Sequence, residues 1–186
     1  MGHQTGTKFF KKFLLKKSAA KNFTSLPIDL PVKNFYEESE LVETFLKLSN
    51  GANGKKILES SIERKGNDRA FTYTQKSTLD IGGQVLSKKR SISAVEYIHL
   101  EGLRNDGIPQ LKSKRLCTVD GGLYMIIDWY EELPDQPMTC IVQVNSEVLK
   151  RSGERIKLPA YVDVDRDITD QKEWKSLNLA KKLGAV

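Results

Sequence analysis

Three observations predict an α+β fold that is mostly antiparallel sheet with two or three helices. From residue 57 onward the chain breaks into short apolar-polar runs separated by turn residues. Three of these runs, QLKSKRLCTV, LYMIIDWYEEL and MTCIVQVNSEV, follow one another across tight turns at Asp120-Gly121-Gly122 and at 134–137, as antiparallel neighbours do. Two capping pairs, Ser93 with Glu96 and Asp170 with Glu173, mark helix starts.

Taken in order, the first element poses a choice. In KFFKKFLLKK (8–17), Phe9, Phe10, Phe13 and Leu14 share one helical face and five lysines crowd the remainder, as in a helix lying on a membrane; the same residues also suit a strand. EESELVETFLKL (37–48) is equally open, since Leu41, Val42, Phe45 and Leu46 fit a helix face while their β-branched and aromatic members fit a strand. GANGKK (51–56) is a glycine-rich turn, because it lacks the spacing and the Ser or Thr of a P-loop.

ILESSIERK then runs to Gly66-Asn67-Asp68, and AFTYTQKS alternates Phe71 and Tyr73 with Thr72 and Thr74, so the two form a hairpin. QVLSKKRSI leads into a helix from Ser93 through about Arg104, stopped near Gly107-Ile108-Pro109. The last helix places Trp174, Leu177, Ala180 and Leu183 three residues apart.

The 186 residues are expected to form one domain, 1–186, with 1–7 as a flexible tail, and no run of about 18 apolar residues is present to cross a bilayer as a helix. The net charge of +6 is local: residues 1–21 hold six lysines and no acid, and the remainder balances at 24 basic and 24 acidic residues. A basic face for specific nucleic acid is therefore not expected. Cys117 and Cys140, with His3 and His99, are too few and too scattered for a structural zinc site, and the cysteines sit in apolar runs as buried thiols do. MGHQTG has Gly6 where myristoylation needs Ser or Thr, and no secretory leader is recognisable. The expected location is cytoplasmic, with peripheral membrane contact as the alternative.

No nucleophile elbow or HExxH motif occurs. What does recur is cations two residues apart on strands: Lys112 and Lys114, Lys88 and Arg90, with Lys76 ending a hairpin strand. Residues i and i+2 point the same way, so each pair either lines a solvated face or, if strands close round an axis, a basic channel suited to a phosphate chain. Asp128, alone among apolar neighbours in MIIDWYEE, is a candidate for capping, pairing or metal binding.

The segments ERKGNDRAFTYTQK, KKRSISAVEY, QLKSKR, IIDWYEE and RDITDQKEWKSLNLA, in this order, resemble the CYTH or triphosphate tunnel family. The likeness is greatest to the C-terminal domain of P-loop-bearing proteins of the TRP-translocation-defect type. The resemblance implies an eight-stranded antiparallel tunnel with flanking helices, with 8–17 as its first strand and 42–46 in its second. It also implies a triphosphate held by basic side chains and Mg²⁺ or Mn²⁺ held by glutamates opposite.

On the family's pattern Lys12, Lys65, Lys76, Arg90, Lys112 and Lys114 would bind phosphate, and Asp128 and Asp167 are the candidate metal ligands. Most metal-side acids are replaced: Lys8 and Phe10 stand in the opening motif, Ser87 and Lys89 before the first helix, and Gln143 and Asn145 late in the sheet. Ser61 and Glu63 stand where arginines would be. Lysine at a former ligand position repels a divalent ion.

The expectation is a tunnel that binds a nucleoside triphosphate, inorganic polyphosphate or acidic phospholipid headgroup, with weak Mg²⁺ or Mn²⁺ binding and weak or no hydrolysis. One alternative is an active metal-dependent triphosphatase that uses Asp128, Asp167 and Glu63 or Glu43. Another is a membrane module acting through 8–17. A P-loop nucleotide-binding domain is a candidate partner.

Overall fold

A computed structural model of the chain describes residues 8–19, 36–49, 55–67, 69–145 and 156–185. The expected tail 1–7, His3, most of the GANGKK turn, Asp68 and the side chains of Lys8 and Asn145 lie outside the described residues.

Nine strands are present among them: β1 (Lys8–Leu15), β2 (Tyr36–Phe45), β3 (Lys55–Gly66), β4 (Phe71–Ile81), β5 (Gln84–Ile92), β6 (Leu111–Asp120), β7 (Leu123–Trp129), β8 (Met138–Asn145) and β9 (Val164–Asp167). Their hydrogen-bonded order is β5-β4-β3-β2-β6-β7-β8-β1-β9. The pairings β1–β8, β1–β9, β2–β3, β3–β4, β4–β5 and β7–β8 are antiparallel. Among the described residues two α-helices accompany the sheet, α1 (Ala94–Glu101) and α2 (Ser176–Leu183). The α+β expectation holds, with one strand more than the eight expected. The extra strand, β9, is four residues of alternating acid and base or apolar type, which carry no period-2 apolar signal.

The chain divides into two compact units. The first holds β1, β7, β8, β9 and the second half of β6. In β1, Phe13 lies opposite Cys140 of β8, which in turn lies opposite Ile127 of β7. That face is the apolar one, where Leu15, Met125, Ile127, Cys140 and Val142 are buried together and Phe13 packs on them. Residues 8–15 are therefore a strand: tertiary burial of Phe13 and Leu15 on one face satisfies a period of two, which the helical wheel also allowed. Both cysteines are buried free thiols, and burial, with the Asp128 charge, pushes the Cys140 thiol up to about 12.

The second unit holds most of β2, all of β3, β4, β5, the start of β6, α1 and α2. Residues 36–45 are a strand too, paired to β3 along its length from Glu40 to Phe45. Ser93 caps α1, its Oγ accepting from the Glu96 N–H at 3.1 Å. The helix ends at Glu101, three residues before the predicted Arg104, because Leu103 and Arg104 N–H groups bond back three residues to Leu100 and Glu101 and tighten the chain out of the α geometry. Tyr97 of α1 packs with Ile62, and with Tyr73, Ile92 and Leu100, on one face of β3–β5.

Two further expectations are corrected. β7 stops at Trp129 and Glu131 to Leu133 enter a turn; Asp135 and Gln136, at φ of 64° and 45°, reverse the chain into β8. The Asp170–Glu173 pair does not cap α2. Lys172–Trp174 is a separate 3₁₀ turn, and α2 starts at Ser176 without a side-chain cap. The buried residues of α2 are Leu179 and Ala180, because a strict spacing of three drifts about 60° per step on a helix of 3.6 residues per turn and leaves the packed face.

Candidate functional site

Within the second unit, register decides which side chains meet. Glu43 lies opposite Glu63, Phe45 opposite Ser61, Ser61 opposite Lys76, and Lys76 opposite Lys89. Directly opposed residues share a face, so Glu43, Ser61, Glu63, Lys65, Lys76 and Lys89 all occupy one face of β2–β5, with buried Leu41 and Phe45 of β2 beside them. Ile62, Tyr73 and Ile92, with α1 packed on them, occupy the other. Glu59, opposite Thr78 beyond a register shift in β3, joins the polar face.

The polar face is a charged network. Glu43, Ser61 and Glu63 are buried. Ser61 Oγ donates to Glu43 Oε1 at 2.8 Å, Lys76 Nζ pairs with Glu63 and lies 3.9 Å from Glu43, and Lys89 Nζ reaches Glu63 Oε2 at 3.2 Å. Burial pushes the Glu63 carboxyl up, but the charge and hydrogen bonds of Lys76 and Lys89 outweigh it and hold the group below its ordinary range. Glu59 is raised, first by burial and then by the Glu43 charge. Lys76 is 37 % exposed, so the ammonium that neutralises this pair also faces solvent. Two buried carboxylates are thus neutralised by lysines that also reach solvent.

Arg90 stands apart from Lys65 and Lys76. Its place opposite Gln75 puts it on the helix-covered face, where it donates to Gln75 Oε1 and pairs with Glu96. The two-residue spacing of Lys88 and Arg90 is real, but their face is not the one that carries Lys76. On β6, Lys112 and Lys114 are exposed and alternate with buried Leu111 and Ser113. They pair with Glu132 at 3.1 Å and with Glu131 at 3.0 Å.

In the first unit, Lys12 lies opposite Ile141 and Leu14 opposite Thr139, which is opposite Asp128. Lys12 and Asp128 thus share a face, together with Gln143. Asp128 is buried and gripped by Arg115 through Nε and Nη2, both at 2.7 Å, a bidentate geometry. Asp167 lies opposite Phe13, on the contrary face of β1, and pairs with Lys11 at 3.2 Å. Slight burial raises its carboxyl, while bonds from Thr169 and the charge of Lys11 win and lower it.

The two candidate metal ligands therefore point to opposite faces of the sheet and cannot share an ion. Asp128 also presents both oxygens to a guanidinium, so this pair does not fit Mg²⁺ or Mn²⁺. Among the described residues no group of three or more His, Cys, Asp or Glu is placed to hold a metal ion.

Sequence reasoning passed over Arg115, the partner of Asp128. The signal was present: Arg115 has the parity of buried Leu111 and Ser113, and an isolated carboxylate in an apolar strand requires a cation nearby. It also passed over Lys89 as a cation of the Lys76 face, which register alone reveals.

No protein-family profile matches the chain, and no curated protein matches it. Among solved structures it is similar to the inorganic triphosphatase NE1496, at 16% identity and a TM-score of 0.55, with 97% of each chain covered. A second crystal structure, of the hypothetical protein NE1496, gives the same identity and TM-score over 94% of this chain and 98% of that one. Nothing in these comparisons supports the narrower link to P-loop-bearing proteins. The antiparallel sheet, matched over nearly the whole of both chains by these structures, means that this chain has the fold of the inorganic triphosphatase NE1496.

Proposed function

We propose that the chain binds a polyphosphate anion, inorganic or as the triphosphate of a nucleotide, on the polar face of β2–β5, and hydrolyses it weakly or not at all. The observation that supports this reading is the single face carrying Lys65, Lys76 and Lys89 around buried Glu43 and Glu63. A sheet face used only for packing would bury aliphatic groups, since burying carboxylates is costly unless they are paired. Lys76 and Lys89 leave Glu63 for phosphate oxygens, and Lys65 adds a third positive charge on the same face. Lys12, on the Asp128 face of the first unit, is the basic group proposed there. Weak hydrolysis follows from the engaged carboxylates: Asp128 by Arg115, and Glu63 by two lysines. A divalent ion must displace these cations before it can bind.

Calorimetric titration with tripolyphosphate in chelator should show saturable binding that weakens with salt. Lys76→Ala should weaken it at least tenfold. Lys112→Ala and Lys114→Ala, whose residues pair with Glu132 and Glu131 on a strand with the opposite exposure pattern, should weaken it less. Unchanged affinity in Lys76→Ala would remove the proposal.

A second reading, an active metal-dependent triphosphatase, is favoured by the fold shared with the inorganic triphosphatase NE1496 and by the two buried glutamates beside Lys76. Phosphate release with Mn²⁺ that is lost in Glu63→Gln would establish it in place of the first.

A further inference from the structure

We infer that the outer edge of β5 is a docking edge for an extended acidic peptide, which adds to the sheet as a further strand. Among the described residues, β5 ends the strand order and has β4 as its one partner. Gln84 to Ser91 are all exposed, so eight consecutive residues of this strand stay open to solvent, although Arg90 reaches Glu96 of α1.

The hairpin that makes β5 also determines which of its backbone groups are open. Gly82 and Gly83, at φ of 61° and 88°, form the two-residue loop between Ile81 and Gln84, the conformation of a type I′ turn. Such a loop closes on a hydrogen-bonded pair, Ile81 with Gln84. Hydrogen-bonded and open positions then alternate. Gln84, Leu86, Lys88 and Arg90 turn their N–H and C=O toward β4, while Val85, Ser87, Lys89 and Ser91 turn theirs outward. Four consecutive open positions can accept a partner strand of about eight residues.

Charge selects the occupant. Between Gln84 and Val95 the chain carries Lys88, Lys89 and Arg90 and no acid, and Lys88 makes no ion pair among the described residues. A second copy pairing edge to edge would set one run of three cations beside the other, and like charges on neighbouring strands repel. An extended segment bearing Glu or Asp at alternate positions sets its acids on one face, beside Lys88 and Arg90, with exposed Leu86 as the apolar contact on that face at the hairpin end.

The probe is a fluorescein-labelled octapeptide of alternating Glu and Val, followed by anisotropy with the full chain. Saturable binding is expected, weakening at least tenfold between 50 and 500 mM salt, with no such binding of the Lys-Val counterpart. Ser87→Pro removes one outward N–H and leaves the β4 ladder intact; it should cost at least tenfold in affinity with an unchanged circular dichroism spectrum.

On peptide binding the amides of Val85, Ser87 and Lys89 should exchange at least tenfold more slowly, and those of Leu86 and Lys88, already bonded to β4, should change little. Displacement of the peptide by tripolyphosphate, full affinity in a folded Ser87→Pro, or a dimer of the chain that excess peptide does not disperse would each overturn the inference. Because Lys88 and Arg90 lie on the face opposite the one that carries Lys65, Lys76 and Lys89, Lys76→Ala should bind the peptide normally whether or not the Lys76 face takes phosphate.

Discussion

Replacing Lys76 by Met removes the cation that stands between two buried carboxylates directly opposed in the β2–β3 register. Methionine is unbranched and only one atom shorter than lysine, so packing changes little and the loss is mainly electrostatic. Truncating one partner of a buried pair typically costs ~3 to 5 kcal/mol. Lys76 is 37 % exposed and Lys89 still reaches Glu63, which places the expected loss near the lower end, about 3 kcal/mol at pH 7. At a urea slope of about 2 kcal/mol per M the unfolding midpoint should fall by roughly 1.5 M.

The pH dependence carries the sharper test. In the wild type, Glu63 is held below the ordinary carboxylate range, so its stabilising contribution is full above that range and is lost as pH falls through the lowered value. Without Lys76, burial dominates and raises the group, and its charge becomes a penalty that protonation relieves. The difference between variant and wild type should therefore be largest at pH 7 and shrink toward pH 5, and Lys76→Met/Glu63→Gln should recover most of it. Urea titrations at both pH values decide the matter. An equal loss at pH 5 and 7, or a loss below about 0.5 kcal/mol, would refute the reasoning that Lys76 neutralises this buried pair.

Arg115→Met should destabilise by about 3 kcal/mol, since it strips the bidentate partner from Asp128, which is 2 % exposed; Asp128→Leu added to it should restore part of the loss, as read by denaturant unfolding. Ser93→Ala should cost about 1 kcal/mol by freeing the Glu96 N–H it caps, visible as a lower Tm. Cys140, buried with its thiol pushed up to about 12, should resist alkylation at pH 8 in the folded chain and react on unfolding; rapid native labelling, read by mass spectrometry, would contradict its burial.

The sequence by itself determined the elements whose signals are local. The β3–β4 hairpin reads from alternation and from Gly66-Asn67, the β6–β7 turn from Gly121-Gly122, which adopt positive φ without strain, and the start of α1 from Ser93 and Glu96. These features depend on a few adjacent residues and survive any packing. The strand state of 8–15 and 36–45 was not determined in this way, because helix and strand periods both fit their apolar residues; burial of Phe13 and Leu15 in one core and pairing of β2 with β3 decided it.

The candidate site divides along the same line. That lysines alternate on strands was legible, and so was the need of Asp128 for a partner. Which lysines share a face was not, because a one-residue change of register turns every side chain over, and register comes from the neighbouring strand. Hence Lys65 and Lys76 meet Lys89 and two glutamates, Arg90 falls on the face covered by α1, and Asp128 and Asp167 part to opposite sides of β1.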